Sequence, residues 1–258
     1  GNETLPRLLS QNGYVTGMAG KWHVGKLQPD VESELAGFDP DTDAIDSPEL
    51  NAALAKHQQH LQKMVRKDAG FDYARSVIWT NNDDFHIKRL THHNFPWVSK
   101  GVVDLLKEFK QQEKPFFLYV TSTACHGPHH GESLEYDMRN TQEGRVDGVT
   151  EYLPDTEAIR EQIKDLSRFE SYKHAGMAEL DHHTGIILKT LKDLNLEENT
   201  IVIFMSDHNV EPGKASCYEK RLHVPMLVRW PAVIEPGSEN QALVQNVDVL
   251  PTVLAAAG

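Results

Sequence analysis

Cysteine is scarce: Cys125 and Cys217 are the only 2 in 258 residues. That excludes a disulfide framework, and neither has the paired spacing of a structural zinc site. No apolar run reaches the ~18–20 residues that a helix needs to cross a bilayer, which argues against a membrane-spanning segment. Positive charge is also short, since 26 Lys and Arg face 38 Asp and Glu and leave a net charge of -12. A general nucleic-acid surface is therefore excluded, because phosphate binding depends on Lys and Arg neutralising the backbone. An anionic ligand would have to be held by a local basic cluster inside an acidic protein. Internal repeats, low-complexity stretches and the charged and apolar regions of a leader are absent too. Gly1 to Glu3 runs straight into a helical pattern and Ala255 to Gly258 stops at a helix terminus. Both ends read as cut from something longer, so location is not legible.

What is present is an alternation of helices and buried strands. Leu5, Leu8 and Leu9 predict a short helix closed by Asn12 and Gly13, and Tyr14 to Ala19 then reads as a strand. Ser47 before Pro48 is an N-cap followed by proline at the first helical position, and Leu50, Leu54, Leu61, Met64 and Val65 stripe the helix up to Gly70. Phe95 to about Lys110 reads as a third helix, and Lys114 and Pro115 punctuate before the strand Phe116 to Thr121. Residues 127–155, rich in Gly, His, Asp and Glu without period, read as a long loop. Helical periodicity returns over 157–166 and 172–194, followed by the strand Thr200 to Met205. Another strand at Val224 to Trp230 and a last helix striped by Val247, Leu250, Val253 and Leu254 complete the pattern. Helix followed by buried strand is the signature of an α/β protein with a mostly parallel sheet.

Three of these strands end in polar loops, with Lys21 and His23 after the first, His126 after the middle one, and Asp207 with His208 after Thr200 to Met205. Ligands of open α/β sheets bind beyond the carboxyl ends of strands, so the three loops are candidates for one site. Lys21 and His23, two residues apart, point to one side of an extended chain, which suits holding an anion. Taken singly, each residue also has an ordinary reading. Lys21 could be a solvated turn lysine, His126 one of 14 histidines, and Asp207 with His208 a helix cap or turn, although an acid beside an imidazole also suits a metal. Lys214 reads as part of a basic loop before a strand.

The motifs narrow this. Gly13, Tyr14, Thr16 and Gly20 to His23 follow the form Gly-Tyr-x-Thr-x-x-x-Gly-Lys-Trp-His, which resembles the second signature of the type I sulfatases. Ser206, Asp207 and His208, then Gly213 and Lys214 with Tyr218 and Glu219, then Val224, Pro225, Arg229 to Pro231 and Asp248 to Thr252, are similar to a later block of the same family. Phe116 to Val120 ahead of His126 and Pro128 resembles its middle strand and histidine. Ala178 to Asp181 and Asn199 to Val202 resemble its long helix and next strand. The matches run in family order over 1–258, and a segment at about 30–110, on the substrate-facing side, matches loosely.

The resemblance implies an alkaline-phosphatase-like α/β fold, incomplete at both ends, that is, a partial catalytic domain over 1–258. It implies sulfate-ester hydrolysis, on a sulfated small molecule or polysaccharide, with a divalent metal, calcium first, and a formylglycine nucleophile made from cysteine. Carried onto this chain, Asp207 and His208 are the metal ligands, and Lys21 and Lys214 hold sulfate oxygens. His23 orients or deprotonates the nucleophile, and His126 contacts the sulfate or protonates the leaving oxygen, tasks that an imidazole titrating near neutrality can perform. The family expectation for location is secreted, periplasmic or lysosomal.

Departures are as informative. The first signature, Cys-x-Pro/Ala-x-Arg, is missing: Cys217 lies four before Arg221 but has Glu219 between them, and Cys125 has no arginine four positions on. Neither is the nucleophile, which is expected upstream of residue 1, and the fragment is expected to be inactive alone. The family's first carboxylate pair is missing too. Asn82, Asp83 and Asp84 mimic it but follow Gly20 and Lys21, and read as a solvated loop. Asn209 stands where the family has Gly, and His208 in place of Asn leaves room for a divalent ion other than calcium. Two alternatives remain: a phosphoester or phosphonate hydrolase on the same fold, and a non-catalytic anion-binding relative.

Overall fold

The computed structural model describes residues 3–25, 34–41, 43–208 and 219–258. The chain divides into two units, Gly1–Ile187 and Leu188–Gly258.

The first unit is built on a parallel sheet. Helix α1 (Leu5–Gln11) leads into strand β1 (Val15–Trp22), helix α2 (Pro48–Ala69) into β2 (Tyr73–Trp79), and helix α3 (Phe95–Gln112) into β3 (Phe116–Thr121). The order is β2-β1-β3, with β1 parallel to both neighbours. All three strands therefore end on the same side. The N-cap reading of Ser47 holds, since its hydroxyl accepts the Leu50 N–H, and Asn94 caps α3 in the same way through the Trp97 N–H.

Alternation along β1 puts the two long helices on opposite faces. Met18 is fully buried in a cluster with Leu61, Met64 and Val65 of α2 and Phe71, Ala74 and Val77 around β2. Its neighbour Gly17 faces α3 so closely that a methyl group there would sit 2.6 Å from the Phe109 ring. Beyond them, β2 carries a bulge: Ala19 pairs with Arg75 but Gly20 with Val77, leaving Ser76 at φ 48° with its hydroxyl donating to the Trp97 carbonyl at 3.0 Å. The buried Gln58 amide of α2 then both donates to and accepts from the Val77 backbone, each at 2.9 Å. The Val77 backbone groups on the β2 edge are thus paired inside the unit.

Two expectations need correction. Strand β1 does not stop at Ala19 but continues through Trp22, so Lys21 lies inside the strand and His23 directly after it. Residues 127–155 are not one loop: they contain a helical turn α4 (His130–Ser133), the two-residue strands β4 (Asn140–Thr141) and β5 (Gly144–Arg145), and a 3-10 turn at Val149–Tyr152. Helices α5 (Thr156–Ile163) and α6 (Arg168–Asp193) follow.

In the second unit, β6 (Val202–Met205) pairs with β7 (Met226–Arg229), with α7 (Glu219–Leu222) between them and α8 (Val249–Ala257) at the end. The pairing is antiparallel, in a two-stranded sheet among the described residues. The sequence alternation did not indicate this.

Candidate functional site

Gly20 is the hinge on which the site is built. It has φ 103°, a region closed to most side chains, and a Cβ there would lie 1.9 Å from the Thr121 carbonyl oxygen of β3. This close approach lets the Thr121 hydroxyl donate to the Lys21 carbonyl at 2.5 Å, fixing the last turn of β1 against the end of β3. Gly20→Ala is expected to destabilise the first unit by about 3–5 kcal/mol, combining the backbone strain with a clash that cannot relax locally. A denaturation midpoint equal to wild type would show that β1 and β3 can separate here without cost.

From that fixed strand end, Lys21 reaches across to the loop after β2, and its Nζ donates to Asn81 Oδ1 at 2.8 Å. The loop is itself tied: Thr80 Oγ1 and Asn81 Nδ2 both donate to Asp84 Oδ2, at 2.7 and 3.1 Å. The Thr80 hydroxyl, the Asn81 donors and the charge of nearby His23 together hold the Asp84 carboxyl below the usual range. On the other side of the loop, a methyl group on Gly127 would lie 2.3 Å from Asp83 Oδ2, so the loop after β3 that carries His126 abuts this one. The ends of β1, β2 and β3 therefore bring Lys21, His23, Asn81 to Asp84, and His126 together.

Behind this surface lies a layer of buried imidazoles. His93, fully buried, contacts the His126 and Pro128 carbonyl oxygens through Nε2, both at 2.9 Å, while Nδ1 meets Thr123 Oγ1 at 2.7 Å and Asn82 Nδ2 at 3.1 Å. The carbonyls need a proton on Nε2, so Nδ1 is the bare acceptor and the ring is neutral. His130 stacks on His93 with ring centres 3.6 Å apart. Its Nε2 accepts the Cys125 N–H, so Nδ1 carries the proton that it shares with Glu179 Oε2 at 3.0 Å. Burial lowers His92, His93 and His183 to about 4 and His130 to about 2, and raises the Glu179 carboxyl well above its usual value.

Reading Asn82 to Asp84 as a solvated loop is thus half right. Asp83 and Asp84 are exposed, but Asn82 is buried on His93 and Asn81 holds Lys21. The signal was there, because the loop ends an apolar strand of a parallel sheet, as the other site loops do. His93 had no such signal, since its partners lie 11 to 40 residues away. Cys125 sits at φ 60° and burial pushes its thiol up, which is the wrong direction for a nucleophile.

In the second unit, Asp207 and His208 follow β6. The His208 N–H donates to Asp207 Oδ1 at 2.8 Å, the His208 ring lies 3.4 Å from Oδ2, and the Asp207 side chain is 83% exposed. One carboxylate and one imidazole at a strand end fit part of a divalent-cation shell. Calcium takes six to eight oxygen ligands, so this pair leaves most of that shell to other groups. Lys214, Cys217 and Asn209 lie outside the described residues.

A family model described as Sulfatase matches residues 1–258. The chain is 28% identical over 275 residues to an endo-4-O-sulfatase of Bacteroides thetaiotaomicron, covering 99% of this chain and 51% of that one. It is 26% identical over 271 residues to an N-acetylgalactosamine-6-sulfatase of Canis lupus familiaris, covering 98% and 44%. The chain thus spans about half the length of the curated relatives it matches. Among solved structures, a sulfatase from Pseudoalteromonas sp. superposes with a TM-score of 0.54 at 20% identity, over 98% of this chain and 50% of that one. That likeness concerns the fold.

Proposed function

The chain belongs to the sulfatase family, and we propose accordingly that the whole protein hydrolyses sulfate esters of carbohydrates, with this chain supplying the groups that hold the sulfate and move protons. The observation that carries the reading is the convergence of Lys21, His23 and His126 on one end of a parallel sheet, in a chain matched to the family over its full length. A relative named as an N-acetylgalactosamine-6-sulfatase supports the substrate class.

In this reading the Lys21 ammonium, prepositioned by Asn81, binds an equatorial sulfate oxygen and stabilises the charge that spreads there in the transition state. Lys214 is the second such cation. His126 contacts the sulfate or protonates the departing sugar oxygen, and the exposed His23 orients or deprotonates the nucleophile. Asp207 and His208 would hold a divalent cation, calcium first, which when bound withdraws electron density from the sulfate oxygens. The nucleophile is a formylglycine in the part of the protein outside this chain.

The test is a substrate panel on the whole protein, comparing release of sulfate from sulfated N-acetylgalactosamine and 4-nitrophenyl sulfate with release of phosphate from 4-nitrophenyl phosphate. Sulfate release is expected to be faster by at least about 100-fold in kcat/KM, a gap of roughly 2.7 kcal/mol in transition-state binding. A preference for the phosphate ester would move the site to phosphoester hydrolysis on the same fold. Binding without any turnover would make it a non-catalytic anion receptor. Residues 1–258 alone are expected to release no sulfate, and turnover by that fragment would contradict the upstream nucleophile.

A further inference from the structure

We propose that His93 is a positioning residue for His126, a buried neutral imidazole that sets the turn carrying it and locks that turn to the loop holding Lys21. The inference rests on the functional reading above for its meaning and on geometry for its content. Four hydrogen bonds meet on one ring with no exposed atom: Nε2–H is shared by the carbonyl oxygens of His126 and Pro128, and Nδ1 accepts from Thr123 and Asn82.

Each contact reaches a different part of the site. The two carbonyls bracket Gly127, which lies against the Asp83 carboxylate, so they define the path of the chain through His126. Thr123 starts that path just after β3. Asn82 adjoins Asn81, the acceptor for Lys21 Nζ at 2.8 Å. The proton-handling histidine, on the loop after β3, and the oxygen-holding lysine, at the end of β1 and about 100 residues away in sequence, are therefore referred to one internal ring. The ring itself is held in place: the His93 N–H donates to Ser133 Oγ at 3.0 Å, and His130 lies flat against it with an interplanar angle of 8°. A geometry set in this way matters for rate, because a displacement of about 1 Å at a reacting group can cost on the order of 100-fold.

The test uses the whole protein with three variants. His93→Phe keeps a stacked ring and removes all four hydrogen bonds. His93→Gln brings an amide N–H near the place of Nε2, and His93→Asn places its amide near Nδ1 only. The Phe variant is expected to lose about 30–100-fold in kcat with KM within about 3-fold, and the pH limb of kcat that belongs to His126 should move. The Gln variant should recover most of the rate and the wild-type limb, whereas Asn should not. Thr123→Val, a milder change that removes one donor to Nδ1, should cost about 3-fold in kcat. Wild-type kcat and pH profile in the Phe variant, or equal loss in Gln and Asn, would overturn the proposal.

Amide exchange over residues 123–127 reads the same contact without turnover, and should quicken at least about 10-fold in the Phe variant and not in Gln. Unchanged exchange in the Phe variant overturns the clamp whatever the enzyme does. Faster exchange in a wild-type background that hydrolyses no sulfate ester supports the clamp and sinks the functional reading instead.

Discussion

Lys21→Met in the whole protein is expected to lower kcat/KM for a sulfate ester by about 100- to 1000-fold, the loss seen when one preorganised donor to a developing oxyanion is removed. Gly20 brings β1 hard against Thr121, and Asn81 points the Lys21 ammonium along the shared end of the sheet. Such a cation is fixed before the substrate arrives, so little reorganisation is needed as charge develops. The same substitution removes the partly buried hydrogen bond to Asn81, a loss that should change stability by about 1 kcal/mol. A large loss of rate with a near wild-type melting temperature would separate an electrostatic role from a structural one. A rate within about 5-fold of wild type would remove Lys21 from the site.

The second large effect is acid lability of the first unit. His92, His93, His130 and His183 are buried and neutral, with their values depressed to about 4 for three of them and about 2 for His130. In the unfolded chain a histidine titrates near 6.5, so between pH 6.5 and 4 the unfolded state binds protons that the folded state refuses. Their contribution is complete above about pH 6.5 and is lost as pH falls. Glu179 works in the opposite direction, because burial raises its carboxyl and so favours the protonated form in the fold. The four histidines together take up nearly four protons on unfolding near pH 5.5, a slope of at most about 5 kcal/mol per pH unit, which Glu179 reduces. Set against a typical domain stability of about 5–15 kcal/mol, that slope unfolds the unit between about pH 6 and pH 4. Thermal unfolding followed by near-UV circular dichroism from pH 7.5 to 4.5 checks this. A melting temperature that stays level down to pH 5 would mean the histidines are already charged in the fold.

Much of the fold was legible because its punctuation is local. Ser47 and Pro48 start α2 through their own side chain and ring, and Pro115 sets the start of β3 at Phe116. What was misread is set at a distance. Lys21 and Trp22 extend β1 because Ile78 and Trp79 of β2 pair with them, which no property of residues 19–22 announces. The 127–155 segment is ordered from outside by Asn94, whose amide donates to the Met138 carbonyl at 2.8 Å, and by Trp97, whose indole N–H donates to Glu143. Antiparallel pairing of β6 with β7 likewise follows from register and not from composition.

The candidate residues divide in the same way. In the first unit Lys21, His23 and His126 end or follow strands of the parallel sheet, in the second Asp207 and His208 follow β6, and motif order marked these positions as candidates. Asn81 and Asn82 sit in the same topological position but lacked a motif to set them apart from a solvent-facing loop. His93 was invisible because its importance is created by carbonyl groups of residues far along the chain.

Whether the ends of β1, β2 and β3 hold the sulfate can be read from a crystal structure of the whole protein with inorganic sulfate or a sulfated N-acetylgalactosamine bound. A sulfate oxygen is expected within about 3 Å of Lys21 Nζ, and an imidazole nitrogen of His126 within hydrogen-bond reach of the sulfate group. A ligand seated elsewhere, with Lys21 still bonded to Asn81 and making no contact with it, would contradict the assignment of this sheet end as the sulfate site.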